Sequence, residues 1–119
     1  YPLKSHKDLT AWQKAMDFVE LIYKITGEFP ENEKFGLTSQ LRRASKSIPS
    51  NLAEGSGRKS TKEFIQFLYI ALGSSSEIET QLEIAMRLGY MKNQANTFDL
   101  LTDIRKLIQG LIRSLKKKV

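Results

Sequence analysis

Very few residues of this chain have the type and spacing that chemistry requires. The 119 residues contain one histidine, His6, in a polar N-terminus expected to be disordered, so a histidine-dependent nucleophilic triad is excluded. There is no cysteine, which removes disulfides, thiolate zinc sites and a cysteine nucleophile. Glu77, Glu79 and Glu83 could be drawn as an acid cluster, but Glu79 and Glu83 are spaced as one solvated face of a helix. A di-iron bundle needs Glu-x-x-His pairs on facing helices, and none exists. Gly55-Ser56-Gly57-Arg58-Lys59-Ser60 looks superficially like a phosphate loop. It lacks the Walker spacing and the preceding strand, and keeps only the weak anion affinity of a helix start. With no catalytic constellation, metal set or cofactor motif, the chain is expected not to be an enzyme.

Positive charge is the one chemical feature that stands out. Nineteen cations oppose thirteen acids, a net charge of +6. They are unevenly spread: ten against seven over residues 1–59, two against four over 60–89, and seven against two over 90–119. Such polarisation suits phosphate contacts to nucleic acid, although solubilising lysines produce it as well. The candidate contact residues are Arg42, Arg43 and Lys46, then Arg58 and Lys59, then Arg105, Lys106, Arg113, Lys116 and Lys117. The last group follows Asp103, after which no acid occurs. Complementing a helix dipole explains some of those cations and leaves the rest over.

Four amphipathic segments must position these groups. The organising stretch runs from Leu37 to Glu54, where Leu37, Leu41, Ala44, Ile48 and Leu52 recur at helical spacing and form one apolar stripe. One flank of the stripe carries Gln40, Ser47, Asn51 and Glu54; the other carries Arg42 and Lys46. Pro49 lies inside the pattern, where it removes a backbone donor and crowds the Ser45 carbonyl. The reading is one helix kinked at Pro49, with a stop at Ile48 and a restart at Ser50 as the alternative. Its start is expected near Glu31, after Pro30, and its end at Gly55, with Gly55 to Lys59 as a loop.

The first helix is expected over about 8–27, capped by Asp8 or Thr10, with Leu9, Trp12, Ala15, Met16, Val19, Ile22, Tyr23 and Thr26 as its inward positions and Trp12 as a core anchor. Ser60-Thr61-Lys62-Glu63 reads as a capping box opening a third helix over about 60–89. That helix carries two seams: Phe64, Leu68, Ala71, Ser75, Ile78, Leu82, Ala85 and Gly89, and beside it Phe67, Ile70, Ser74, Glu77, Gln81, Ile84 and Leu88. Its small residues from Ala71 to Ser76 suggest close approach of a neighbouring backbone. Ser74, Glu77 and Gln81 are expected to meet Gln40, Ser47, Asn51 and Glu54 in a polar layer between helices, because unpartnered buried polar groups are costly; solvent exposure is the alternative, above all for Glu77. A fourth helix, over about 93–117, opens at Asn93 or Asn96. The fold class is all-α: a single antiparallel up-down-up-down four-helix bundle with short connections.

A resemblance spans nearly the whole chain. Leu9 and Trp12, Phe29-Pro30, Gly36-Leu37, Gln40-Leu41-Arg42-Arg43-Ala44 and Ser47-Ile48-Pro49-Ser50-Asn51 leading into Ala53-Glu54-Gly55 carry its first half. Arg58, Phe64, Phe67-Leu68, Ala71, Gly73-Ser74, Glu77, Thr80-Gln81-Leu82 and Leu88-Gly89-Tyr90 carry the second. On these residues the chain resembles the four-helix-bundle proteins encoded in intervening sequences of bacterial 23S ribosomal RNA genes. It departs from their pattern at Ser45-Lys46, where small apolar residues are the family's habit. The resemblance implies an up-down-up-down bundle that assembles as a ring, usually a homopentamer, and supplies no catalytic residues to carry over. The chain is also similar to the accessory protein of diversity-generating retroelements, a basic pentamer that binds nucleic acid and its reverse transcriptase.

Two functional readings follow. One is a ring-forming bundle that binds RNA or DNA through its basic surface without sequence preference. The other is an oligomeric scaffold or accessory subunit for a protein partner. With no apolar signal core and no run long enough for a membrane span, the chain is expected in the cytoplasm and not in a membrane.

Overall fold

The computed structural model describes residues 5–119; residues 1–4 of the polar start lie outside it. Four α-helices and no strand occur among the described residues: α1 over Thr10–Thr26, α2 over Leu37–Ser56, α3 over Thr61–Arg87 and α4 over Ala95–Lys116. Short 3-10 turns at His6–Asp8 and Glu31–Glu33 precede α1 and α2. Each helix packs on its neighbour in sequence and α1 closes against α4, which makes an antiparallel up-down-up-down bundle of 46 × 24 × 20 Å. The expected stripes of α2, α3 and α4 face inward: Leu41, Ile48 and Leu52, Leu68, Ile78 and Leu82, and Ile104 and Ile108 are all fully buried. On α1 the stripe is turned: Phe18, not expected on it, is fully buried with Ile22, whereas Met16 and Tyr23, expected on it, are exposed.

The helix ends differ from expectation in ways that local hydrogen bonding explains. Neither Asp8 nor Thr10 caps α1. Leu9 is the N-cap residue and makes no side-chain cap bond. Asp8 instead accepts from the Ser5 amide at 3.3 Å within the first 3-10 turn. His6 belongs to that ordered turn, with its ring edge-on to half-buried Trp12 at 5.1 Å between centroids.

Residues 31–33 form a 3-10 turn, so α2 begins at Leu37 and not near Glu31. The Glu33 carboxylate accepts from the Leu37 amide at 3.1 Å and fills the space that a Cβ on Gly36 would need. From there α2 is continuous through buried Pro49, which excludes the two-helix alternative. Beside the lost donor, Asn51 Nδ2 bonds the Ser47 carbonyl at 2.8 Å.

At the start of α3, Ser60 accepts from the Glu63 amide at 3.1 Å, and only that half of the capping box forms. The far end of α3 is a Schellman closure. Tyr90 N–H bonds the Ala85 carbonyl, Gly89 N–H bonds that of Met86, and Gly89 takes φ 78°, where a side chain would be strained. Gln94, and neither Asn93 nor Asn96, is the N-cap residue of α4.

The α2–α3 pair is the tightest part of the bundle. Because α2 extends to Ser56, Gly55 is a buried helical residue and not a loop glycine. A Cβ there would stand 2.7 Å from Phe67 Cβ and 2.9 Å from Phe64 Cδ1. Ala71 and Ser75 continue the close seam, fully buried. Gly73 is exposed with nothing within 4 Å of its would-be Cβ, so the small-residue run does not serve close packing along its whole length.

Toward the other end of the bundle, Arg42 ties α2 to α1. Its Nε donates to Thr26 Oγ1 at 2.8 Å and its Nη2 to the Tyr23 carbonyl at 3.5 Å, and the guanidinium lies 4.4 Å from the centre of the Tyr23 ring. Thr26 in turn donates to the Ile22 carbonyl at 2.7 Å. A cation therefore sits where the last carbonyls of α1 concentrate negative potential. Tyr90 adds a second tie, its hydroxyl donating to Glu33 Oε2 at 2.9 Å. That hydrogen bond first, then desolvation, then the carboxylate's charge raise the phenol's pKa above its ordinary value.

Two predictions follow from these contacts. Gly55→Ala should cost about 1–3 kcal/mol in urea unfolding by overpacking. Gly73→Ala, with open space around it, should stabilise α3 by about 0.5–1 kcal/mol. A matching loss at both glycines would show that the Phe64–Phe67 contact is not the constraint. Arg42→Ala should lower stability by about 1–2 kcal/mol, because it removes a charged donor from α1. Arg43→Ala, one residue along on an exposed face, should stay within about 0.5 kcal/mol of the parent.

Candidate nucleic-acid interface

The cations singled out in the sequence fall into three places. The first is the outer face of α1 and α2. Arg42 is half-buried there and its donors are spent on α1, whereas Arg43 and Lys46, on the same stretch of α2, are exposed. Both line a groove of about 350 Å³ together with Tyr23, Lys34 and Phe35. The arginines at 42 and 43 are adjacent in sequence but separated in role, because a step of 100° around a helix turns one toward α1 and the other toward solvent.

The second place is the end of the bundle where α2 leaves, α3 starts and α4 finishes. Arg58 forms an ion pair with Glu54 at 2.9 Å and covers the Phe67 ring at 4.9 Å. Lys59 is exposed in the connecting turn. Lys116 Nζ stands 5.4 Å from the centre of the Tyr69 ring, and Arg113 lines the same cleft of about 380 Å³ against Tyr69 and Leu72. Lys117 is exposed just beyond α4. Phe67 and Tyr69 are two residues apart and so project to nearly opposite sides of α3. Cations are thus held against aromatic rings on both flanks of the first turns of α3.

The third place is the middle of α4. Arg105 Nη1 reaches Glu79 Oε2 on α3 at 3.5 Å with its side chain only 30% exposed, so it bridges two helices. Lys106 is exposed. Glu79 and Glu83 engage Arg105 and Arg87 respectively, as members of a solvated face. Among the described residues no group of three or more His, Cys, Asp or Glu could hold a metal ion, and no helix is long and apolar enough to cross a membrane.

The polar set proposed between α2 and α3 contracts to one crossing bond. Ser47 Oγ and Ser74 Oγ lie 2.8 Å apart, and Asn51 Nδ2 donates to Ser47 Oγ at 2.9 Å. Gln40, Glu54 and Glu77 are exposed, on the solvent side of the stripe, and Glu54 turns to Arg58. Gln81 is buried, its Nε2 bonded to Glu77 Oε2 at 3.0 Å. Its Oε1 is buried without a hydrogen-bond partner. What sequence reasoning missed is Phe35, 90% exposed beside Lys34 in the first groove. Lying in a turn, it belongs to no helical stripe, and the only signal was an aromatic residue next to a lysine ahead of a glycine.

The comparisons with known proteins bear on this arrangement. Residues 7–112 match the family model described as 23S rRNA-intervening sequence protein. Among solved structures, the chain is similar to a protein of unknown function from the S23 ribosomal protein family of Bacteroides thetaiotaomicron VPI-5482. The two share 28% sequence identity over 90% of this chain and 98% of that one, with a TM-score of 0.77. No curated protein matches. Because the family match spans all four helices, the chain belongs to the 23S rRNA-intervening sequence protein family.

Proposed function

We propose that the protein is a non-enzymatic, ring-forming helical bundle that binds RNA or DNA through its basic surface, largely without regard to sequence. The observation that carries this reading is the placing of Lys116 against Tyr69 and of Arg58, itself paired with Glu54, against Phe67, which holds cations on both flanks of α3 at one end of the bundle. A guanidinium or ammonium lying over a ring is held in place while its other side stays open to water, a suitable arrangement for meeting phosphates. Arg43 and Lys46 extend the positive surface along α2, and Lys106 extends it along α4. Arg42 and Arg105 serve it indirectly, as ties between helices.

Self-assembly, as a homopentamer in the form the family resemblance implies, draws support from the outer side of α3. Ile70, Ile84 and Leu88 are 52%, 43% and 54% exposed there. Apolar side chains repeated along one helix are better explained by a partner surface than by solvent. The same residues favour the second reading, an oligomeric scaffold that docks a protein partner and whose cations serve only solubility.

Binding to RNA and to duplex DNA, followed through a salt titration, tests the proposal. Affinity should fall linearly with salt on logarithmic axes, with a slope of about 0.7–0.9 per phosphate contact. Reversing Lys59 and Lys116 to glutamate should flatten that slope while native mass spectrometry shows an unchanged subunit number. Absence of binding at low ionic strength overturns the nucleic-acid reading, and loss of the oligomer in the charge-reversed protein transfers those residues to the scaffold reading.

A further inference from the structure

The groove between α1 and α2 holds a combination found at neither of the other basic places: an aromatic ring standing free in water among cations. Phe35 is 90% exposed, the highest value of any large apolar residue described. Lys34, Arg43 and Lys46 line the groove with it, no acid does, and the volume of about 350 Å³ falls in the range of small-ligand clefts, roughly 300–1,000 Å³. Lys34 Nζ approaches the ring centre at 5.6 Å. A lone surface apolar residue needs no explanation, but one set in a concave basic site has a chemical reading.

The backbone on either side of this ring is hydrogen-bonded. Glu33 N–H bonds the Pro30 carbonyl, Lys34 N–H bonds that of Glu31, and Gly36 N–H bonds that of Glu33. The Glu33 carboxylate meanwhile accepts from the Leu37 amide and from the Tyr90 hydroxyl. Phe35 is thereby displayed on a pre-organised turn, with little ordering left to do when something lands on it.

We infer that this groove is a single-strand site, in which an unpaired base stacks on Phe35 while Lys34, Arg43 and Lys46 contact the flanking phosphates. The inference rests on the nucleic-acid reading above and narrows its substrate to unpaired strands. Stacking on an aromatic ring is available to every base and closed to bases inside a duplex, so the site selects for unpaired strand and not for sequence. The donors of Arg42 stay on α1 and its guanidinium stays on Tyr23, which leaves Phe35 as the open ring of the groove.

The test compares Phe35→Ala, Phe35→Leu and Phe35→Trp for binding to an unstructured oligouridine and to a duplex of equal length, with subunit number measured in parallel. Alanine and leucine should each weaken oligouridine binding about tenfold, tryptophan should restore it, and duplex affinity and the salt slope should stay as in the parent. If the parent binds both nucleic acids and all three variants behave alike, the single-strand site is overturned while the basic-surface reading stands. If the parent binds neither, the broader reading fails first. Should leucine preserve function where alanine changes the subunit number, Phe35 docks a second copy and the inference is wrong.

Discussion

The close approach of α2 to α3 at Gly55 is the constraint on which the rest of the molecule depends. Phe64 and Phe67 occupy the volume that any side chain at position 55 would need, so the two helices meet at a distance only glycine permits. That contact fixes where α2 can end and where Ser60 can open α3. The turn between them, carrying Arg58 and Lys59, has little freedom left. Farther along the pair, Ala71 and Ser75 are small and fully buried, and the Ser47–Ser74 hydrogen bond fixes which turn faces which. Dispersion and burial supply the attraction here, and the one polar bond supplies register.

Charge divides the same way, into cations used inside the fold and cations left outside it. Arg42 completes the C-terminal end of α1, and Arg105 spans α3 and α4. Each is partly withdrawn from solvent, where a charge–acceptor contact is screened less than on the open surface. Lys46, Lys59 and Lys117 are exposed, and their field extends about a Debye length from the surface. The net charge of +6 thus overstates what is open to a polyanion. The difference separates even the neighbours Arg42 and Arg43, the first bonded to α1 and the second turned to solvent.

The four helices and the buried stripes of α2, α3 and α4 were legible because apolar periodicity reports directly on which face meets the core. On α1 apolar residues lie on more than one side, so periodicity took Met16 and Tyr23 inward in place of Phe18. Pro49 was correctly placed inside one helix, since the stripe continues from Ile48 to Leu52 on either side of it. Periodicity places a polar residue on a flank, however, without saying how far the neighbouring helix reaches over that flank. Ser47 and Ser74 therefore met while Gln40 and Glu77 remained in water. Gly55 looked like a loop residue beside Gly57, because close packing and turn formation both select glycine. The role of Arg42 depends on acceptors at Tyr23 and Thr26, remote in sequence and brought near only by the antiparallel turn. Phe35 had no pattern to betray it.

Assembly and binding are physically linked in the proposed reading. One bundle offers scattered cations whose separate contacts with phosphate are weak and strongly screened. A closed ring repeats those cations at fixed spacing, so once one copy holds a strand the next site sees it at a raised effective concentration, and affinity grows without any new kind of contact. The gain requires that a binding surface stay open once the copies are linked. The exposed apolar residues Ile70, Ile84 and Leu88 lie on α3, while Phe35, Arg43 and Lys46 belong to the groove between α1 and α2. Neighbouring copies meeting along α3 would leave that groove open in every subunit. The cations on the flanks of α3 adjoin the meeting surface itself, where they would bring each copy's charge alongside that of the next.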